Sequence, residues 1–257
     1  MKIIWPENIS QIYINEITND NKVKFYPFKI NEILNKEFKV IDFIADGENA
    51  RILKVQNLSD LKYYAIKIIY RTKDNIQYIN NEINILRKIR NKITKIRNHL
   101  LRYYWNFFVI KNNYIYSCIL SELLDLNLLT FMNKNCKFGF SMRDIQCIAK
   151  NILIGLSSLH KIKIIHGDIN PANILLYNSD YEKKYNLNDF PLIAKSKFQN
   201  ITKINNQIAF RQLRCAEIKL IDFGNSFDYE FQNIKYMVIW MYLDEIIYRR
   251  NSISNFR

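Results

Sequence analysis

From residue 164 the chain reads Ile164-Ile165-His166-Gly167-Asp168-Ile169-Asn170-Pro171-Ala172-Asn173-Ile174-Leu175-Leu176, and the rest of the sequence can be laid out around it. A β-branched pair delivers a His. An Asp follows two positions later, an Asn five after that, and a second apolar run leads away. Polar groups between two strand ends occupy a loop. There a carboxylate can accept the proton of an attacking hydroxyl, and an amide oxygen can hold a metal. Asp168 is the candidate for the first role and Asn173 for the second. By themselves, an Asp and an Asn around Pro171 are more often a turn than a site. The choice depends on whether the other parts of a phosphoryl-transfer site flank this stretch in order.

Phosphoryl transfer needs positioning, and positive charge at the phosphates, more than covalent help. Upstream, Tyr64-Ala65-Ile66-Lys67 lies in an apolar strand and suits Lys67 to reach the α- and β-phosphates; the plain alternative is an exposed strand lysine. Glu82, on a following helix, can pair with Lys67, or simply sit on a solvated face. Downstream, Ile218-Lys219-Leu220-Ile221 runs into Asp222-Phe223-Gly224, which supplies a second carboxylate. Each plain alternative stands in isolation. The ordered set Lys67, Glu82, Asp168, Asn173 and Asp222 favours a site in which Asn173 and Asp222 hold Mg²⁺ and Asp168 orients the hydroxyl.

Around these residues the pattern predicts strands at 38–45, 50–56, 62–70, 100–110 and 114–121, and an edge strand interrupted by Pro27 at 25–30. A helix over 74–91, capped by Asp74, presents Ile79, Ile83, Leu86 and Ile89 on one face. Helices follow at 126–133 and 142–161, the longer with an apolar stripe of Ile145, Ile148, Ile152, Leu156 and Leu159 closed by His160. Strands at 174–177 and 217–221 bracket a polar stretch, 178–216, that lacks sustained periodicity and reads as a surface insertion. The fold class is α+β: a β-rich small lobe with one main helix, then a mainly helical large lobe. The division is an N-terminal extension 1–37, a small lobe and hinge 38–124, and a large-lobe portion 125–257.

The 257 residues are 49% hydrophobic and 14% aromatic, ample for a sizeable core. Only 5 Gly and 4 Pro argue against long flexible linkers. The net charge of +14 is spread along the chain with no nucleic-acid module, so it reads as a solvated basic face. Cys118, Cys136, Cys147 and Cys215 share no metal spacing and suit a reducing compartment. No apolar run approaches a membrane span and the first ten residues hold no signal-peptide core, so the expected location is cytoplasm or nucleus.

At this level of detail the chain resembles the eukaryotic protein kinases, and within them the LAMMER, or Cdc-like, kinases of the CMGC group. The resemblance is carried by His166-Gly167-Asp168, by Ser179-Asp180-Tyr181…Tyr185-Asn186 after the loop, and by Ser226-Phe227-Asp228-Tyr229-Glu230 after Asp222-Phe223-Gly224. Upstream, Glu122-Leu123-Leu124-Asp125-Leu126 looks like the family hinge, and Ile30-Asn31-Glu32-Ile33-Leu34 like its pre-strand segment. The resemblance implies a bilobal kinase fold, and ATP with Mg²⁺. It implies protein substrates phosphorylated on Ser or Thr, with Tyr as a further acceptor and Arg/Ser-rich splicing factors as the substrate class. It also implies backbone contacts from Glu122 and Leu124 to adenine. Ile44, Gly47, Ile52, Ala65 and Leu175 would line the nucleotide site, and Ser121 would be a small gatekeeper.

Four departures from the family pattern stand out. Ala45-Asp46-Gly47-Glu48-Asn49-Ala50 occupies the place of a Gly-x-Gly-x-x-Gly loop, with Gly47 alone surviving. Asn170 replaces a Lys that would contact the γ-phosphate, a loss on the order of 10²–10³ in rate unless the amide donates in its place. Gly167 removes the Arg that would receive an activation-loop phosphate. Leu243-Asp244-Glu245-Ile246-Ile247 stands where Ala-Pro-Glu is expected, and the preceding residues 238–242 do not match the substrate-docking segment. Residues 236–243 would form an exposed apolar patch, and the chain stops before the helices that complete the large lobe. Besides an active kinase, these departures leave open a pseudokinase that binds nucleotide without turnover, and a truncated gene product.

Overall fold

Alternation along Tyr63–Tyr70 decides how the small lobe is built. Successive strand residues point to opposite faces, so Ile66, Ile68 and Tyr70 enter one core while Ala65, Lys67 and Ile69 face the other way. In the computed structural model, residues 25–47, 49–93, 99–134, 140–184, 210–214 and 216–228 are described. The small lobe is a six-stranded antiparallel sheet of β1 (Ile33–Leu34), β2 (Phe38–Asp46), β3 (Ala50–Asn57), β4 (Tyr63–Tyr70), β5 (Tyr103–Lys111) and β6 (Tyr114–Glu122). The strands lie in the order β1-β2-β3-β4-β6-β5.

Its outer face is filled by Phe38, Val40, Leu53, Val55, Ile66, Ile68, Tyr116, Cys118 and Leu120, with Tyr26 and Leu34 folded over them. Burial pushes the Cys118 thiol well up, so it behaves as a small apolar side chain. The inner face receives α1 (Ile76–Lys92) through Ile79, Ile83, Leu86 and Ile89, the four positions the 3.6-residue period singles out.

The chain then passes through 123–126 to α2 (Leu128–Lys134) and α3 (Met142–Lys161). Three short antiparallel pairs follow. β7 (Ile164–Ile165) pairs with β12 (Phe227–Asp228), β8 (Ile174–Leu176) with β11 (Ile218–Leu220), and β9 (Tyr181–Lys184) with β10 (Phe210–Leu213). One core runs from α1 into this part through Leu100, Phe131, Ile148, Leu159, Ile164, Ile174, Leu220 and Phe223. The arrangement is that of a bilobal kinase fold.

The structure corrects several local expectations. Residues 25–30 form no strand: Pro27 lacks an N–H and the Phe28 N–H donates to Tyr26 O at 3.0 Å, so the backbone turns on itself and Tyr26 drops into the core. The edge is instead β1, Ile33–Leu34. The cap of α1 is Asn75 rather than Asp74. The Asn75 amide accepts from the Thr72 N–H and donates to Tyr70 O, anchoring the turn before the helix. The strand expected at 100–110 starts at Tyr103, because Leu101 N–H donates to Leu220 O and His99 O accepts from Leu220 N–H. In α3, Ile145 is exposed and Asp144 is buried instead. Ser141 Oγ accepts from Asp144 N–H at 3.1 Å, and this capped first turn faces the carboxylate inward. Within the 178–216 stretch, β9 and β10 pair as a two-stranded ribbon.

The expectations for residues 1–24, Glu48, Tyr185-Asn186, Cys136, Cys215, Tyr229-Glu230 and 236–257 lie outside the described residues. Among the described residues no helix is long and apolar enough to cross a membrane.

Candidate active site

Lys67 is placed by β4 on the inner face of the sheet, directly opposite Ile52 on one side and Ile119 on the other. Its Nζ donates to Glu82 Oε1 at 2.7 Å and to Asp222 Oδ1 at 2.9 Å. Three residues spread over 155 positions of sequence are thereby drawn to one ammonium. Burial opposes the charge on Lys67, but the two carboxylates outweigh it and raise its affinity for the proton, so the amine is cationic at neutral pH. Burial pushes the Glu82 carboxyl upward and the attraction of Lys67 opposes it. Glu82 Oε2 is buried and meets no hydrogen-bond donor among the described residues, so Lys67 is the main support of that charge. Burial also acts upward on Asp222, but Lys67 and the Gly224 N–H together hold it below the usual carboxylate range.

Asp222 has φ +61°, a left-handed conformation that costs a non-glycine residue of order 1 kcal/mol or more. The neighbours hold it there. His166 is buried, and its Nε2 is 3.0 Å from Ile221 O, the carbonyl that precedes Asp222. Its Nδ1 accepts from Asp168 N–H at 3.3 Å. These contacts place the ring proton on Nε2, and burial holds the imidazole pKa down. The His166 ring also packs on Phe223 with centroids 5.0 Å apart. One neutral imidazole thus joins the backbone before Asp222 to the backbone of Asp168.

The turn Pro171–Asn173 is a short 3-10 segment capped by Asn170. Asn173 Nδ2 donates to Asp168 O at 3.0 Å and to Asp168 Oδ2 at 2.9 Å. The nitrogen end of the Asn173 amide is committed to Asp168, so its oxygen is the end that can take a metal. Asp222 and Asn173 offer two hard oxygen donors, the kind and number Mg²⁺ takes when phosphate and water complete its shell. Among the described residues no cluster of three or more His, Cys, Asp or Glu could hold an ion by itself. The residues therefore fit a metal shared with a nucleotide.

Of the residues expected to line a nucleotide, Ile52, Ala65 and Ser121 share the sheet face of Lys67. Ile52 is the cross-strand partner of Lys67, and Ser121 that of Ala65. Leu175 lies in β8 of the other lobe, paired to Lys219. Glu122 ends β6, and Leu124 lies in the extended segment that follows. Ile44 sits where the β2–β3 register shifts and is exposed.

At the loop tip the Gly47 N–H donates to Ala50 O at 2.7 Å, which closes the turn on itself. Asp46 would set a carboxylate near phosphates, but Arg51 engages it with two 2.8 Å hydrogen bonds that lower its pKa. Arg51 also donates to Tyr26 O, and its guanidinium lies over the rings of Phe25, Phe28 and Phe43. Since Ile52 faces the cleft, Arg51 lies on the opposite face and holds Asp46 there.

Several residues of the site have no clear sequence signal. Asn81 Nδ2 donates to Ser226 O at 2.8 Å, Ser226 Oγ donates to His166 O at 2.8 Å, and Lys88 pairs with Asp228. Tyr78 covers Gly224 so closely that an added Cβ would fall 1.8 Å from its hydroxyl. The only hint for Tyr78 was its place one helical turn before Glu82.

Residues 38–242 match the protein kinase domain, and the chain belongs to that family. It is 28% identical over 224 residues to the probable serine/threonine-protein kinase clkA of Dictyostelium discoideum, covering 86% of this chain and 23% of that protein. It is 30% identical over 215 residues to the dual specificity protein kinase YAK1 of Saccharomyces cerevisiae, covering 81% and 26%. With the serine/threonine-protein kinase AFC1 of Arabidopsis thaliana the identity is 27% over 222 residues, covering 85% and 44%. The chain thus spans less than half the length of each of these relatives. A crystal structure of a kinase domain superposes with a TM-score of 0.65 at 28% identity, covering 80% of this chain and 57% of that one.

Proposed function

We propose that the chain transfers the γ-phosphate of ATP to Ser or Thr hydroxyls of protein substrates, with Tyr as a further acceptor. The observation that supports this reading most is the double contact of Lys67 Nζ with Glu82 and Asp222 across the two lobes. That contact holds a cation and a metal-binding carboxylate at one place. Lys67 steadies the phosphates, Asp168 receives the hydroxyl proton, and Ile52, Ala65 and Leu175 enclose the adenine, with Glu122 and Leu124 as its backbone partners. Mg²⁺, held by Asn173 and Asp222, neutralises charge on the phosphates when bound. The small lobe and hinge of this reading are 38–124 and the large-lobe portion 125–257.

The names of the relatives support Ser/Thr and dual specificity. Arg/Ser-rich splicing factors, and with them a nuclear or cytoplasmic location, rest on the family resemblance alone. The test is transfer of labelled phosphate from ATP to Ser-rich peptides by the wild type and by Asp168→Asn. Equal signal from the two would remove the reading.

A second reading, a nucleotide-binding module with little turnover, is favoured by the glycine-poor loop, whose Gly47 N–H is turned to Ala50 O. A large thermal shift with ATP and Mg²⁺ but no transfer would select it.

A further inference from the structure

Asn170 stands where the family resemblance implies a Lys directed at the γ-phosphate, and its amide is instead fully engaged within its own turn. Oδ1 accepts from the Ala172 N–H at 2.9 Å and from the Asn173 N–H at 3.2 Å, which caps the turn Pro171–Asn173. Nδ2 donates to Asp168 Oδ1 at 2.8 Å. The second oxygen of Asp168 accepts from Asn173 Nδ2 at 2.9 Å. Both carboxylate oxygens are thus held by amide donors on the same short turn, and that turn is itself fastened by the other end of Asn170.

We infer that Asn170 is a positioning residue for Asp168: it clamps the carboxylate that receives the hydroxyl proton and couples that carboxylate's orientation to the cap of the Pro171–Asn173 turn. The inference rests on the proposed transfer reaction. Asn suits this double duty for a simple reason. Asp can cap such a turn but has no donor when ionised, and a Ser or Thr hydroxyl must accept and donate through one atom close to the backbone, whereas the Asn amide accepts from the backbone at one end and donates to a carboxylate at the other. A charge-assisted hydrogen bond fixes orientation as well as energy, and misorienting a reacting group by a fraction of an ångström slows the chemical step while leaving nucleotide binding intact.

The test uses the full chain with Asn170→Ser, which keeps a capping oxygen and replaces the amide donor by a shorter hydroxyl, and Asn170→Asp, which keeps the shape and the cap, has no donor when ionised, and sets a carboxylate against Asp168. For Asn170→Ser, kcat falls roughly ten- to a hundredfold and the KM for ATP stays within about twofold. Asn170→Asp falls further, and both keep a melting temperature near the wild type. Wild-type kcat in Asn170→Asp, which offers Asp168 no donor, overturns the proposal. So does a raised KM for ATP at unchanged kcat, which would make Asn170 a phosphate contact. A fall in activity that only tracks lost folding overturns it as well.

A readout without turnover separates this inference from the function it rests on. The side-chain amide protons of Asn170, followed by NMR, exchange slowly with solvent in the wild type and faster in Asp168→Ala. Exchange unchanged by that substitution would refute the clamp whether or not the chain transfers phosphate. If the clamp is present and the wild type transfers nothing, the function falls, and the positioning role for Asn170 falls with it.

Discussion

Gly167→Ala is a substitution of one methyl group that the structure makes expensive. Gly167 has φ +83°, and a Cβ built on it lies 2.4 Å from Asn225 O and 3.2 Å from Asn225 C. The left-handed backbone costs a non-glycine residue about 1–2 kcal/mol. The contact is with backbone, so Asn225 must retreat. Ser226 follows it, and its buried hydrogen bond to His166 O weakens, at about 1 kcal/mol. The sum is about 2–3 kcal/mol, which for a chain of this size lowers the melting temperature by roughly 4–12 °C.

Gly224→Ala is the comparison. Its Cβ would meet the Tyr78 ring rather than backbone, and no positive φ is involved. Removing the ring in Gly224→Ala/Tyr78→Ala relieves that clash. Gly167→Ala has no such single side chain to remove. Scanning fluorimetry on the four proteins suffices. A Gly167→Ala melting temperature within about 2 °C of the wild type would refute the reasoning, because neither the strain nor the clash would then exist.

Three further expectations follow from the geometry. Ser141→Ala removes the oxygen that caps α3, so it costs about 1 kcal/mol, or roughly 2–4 °C by thermal melting. His166 is buried as the neutral imidazole with a lowered pKa, so the unfolded chain binds its proton more readily. Stability from this residue is therefore complete above about pH 6.5 and is lost as the pH falls below it, and the decline in melting temperature between pH 7 and 5 is shallower in His166→Gln. Lys67→Met strands Glu82 in the core, where burial already pushes the carboxyl upward. Because the carboxyl can take up a proton, the loss is that of a buried group left unsatisfied, about 1–3 kcal/mol in denaturant melts, and the double variant Lys67→Met/Glu82→Gln regains part of it.

The parts of the site that repeat a local pattern were legible in the chain. A Lys after Ala65-Ile66, a helix with Glu82 beside Ile79, Ile83 and Leu86, and an Asp after an apolar run each carry their own signature, and the structure joins Lys67, Glu82 and Asp222. The span of α3, Met142–Lys161, was readable from its period, but the interior place of Asp144 over Ile145 was not, because a cap rather than a hydrophobic count fixes the first turn. Tyr26 looked like part of an edge strand; its burial depends on Pro27 and on a sheet assembled from later residues. The contacts of Asn81 with Ser226 and of Arg51 with Asp46 and three Phe rings join groups whose partners no periodicity specifies. Asn170 shows the limit most clearly. Its identity was plain, but the direction in which its amide points is settled by three hydrogen bonds within residues 168–173.

The crossing at the back of the molecule has a mechanical consequence. Lys219 Nζ reaches both Glu122 Oε1 at 3.2 Å and Leu100 O at 3.1 Å, while Leu220 exchanges backbone hydrogen bonds with His99 and Leu101. Glu122 closes the last strand of the upper sheet, and Lys219 belongs to a strand of the lower half. Rivets on that side leave little room for sliding. With that edge fastened, the least constrained displacement of one half against the other is rotation about it, and Gly47 lies toward the opposite end of the sheet, since Glu122 pairs with Tyr64 and Ala50 with Ile69.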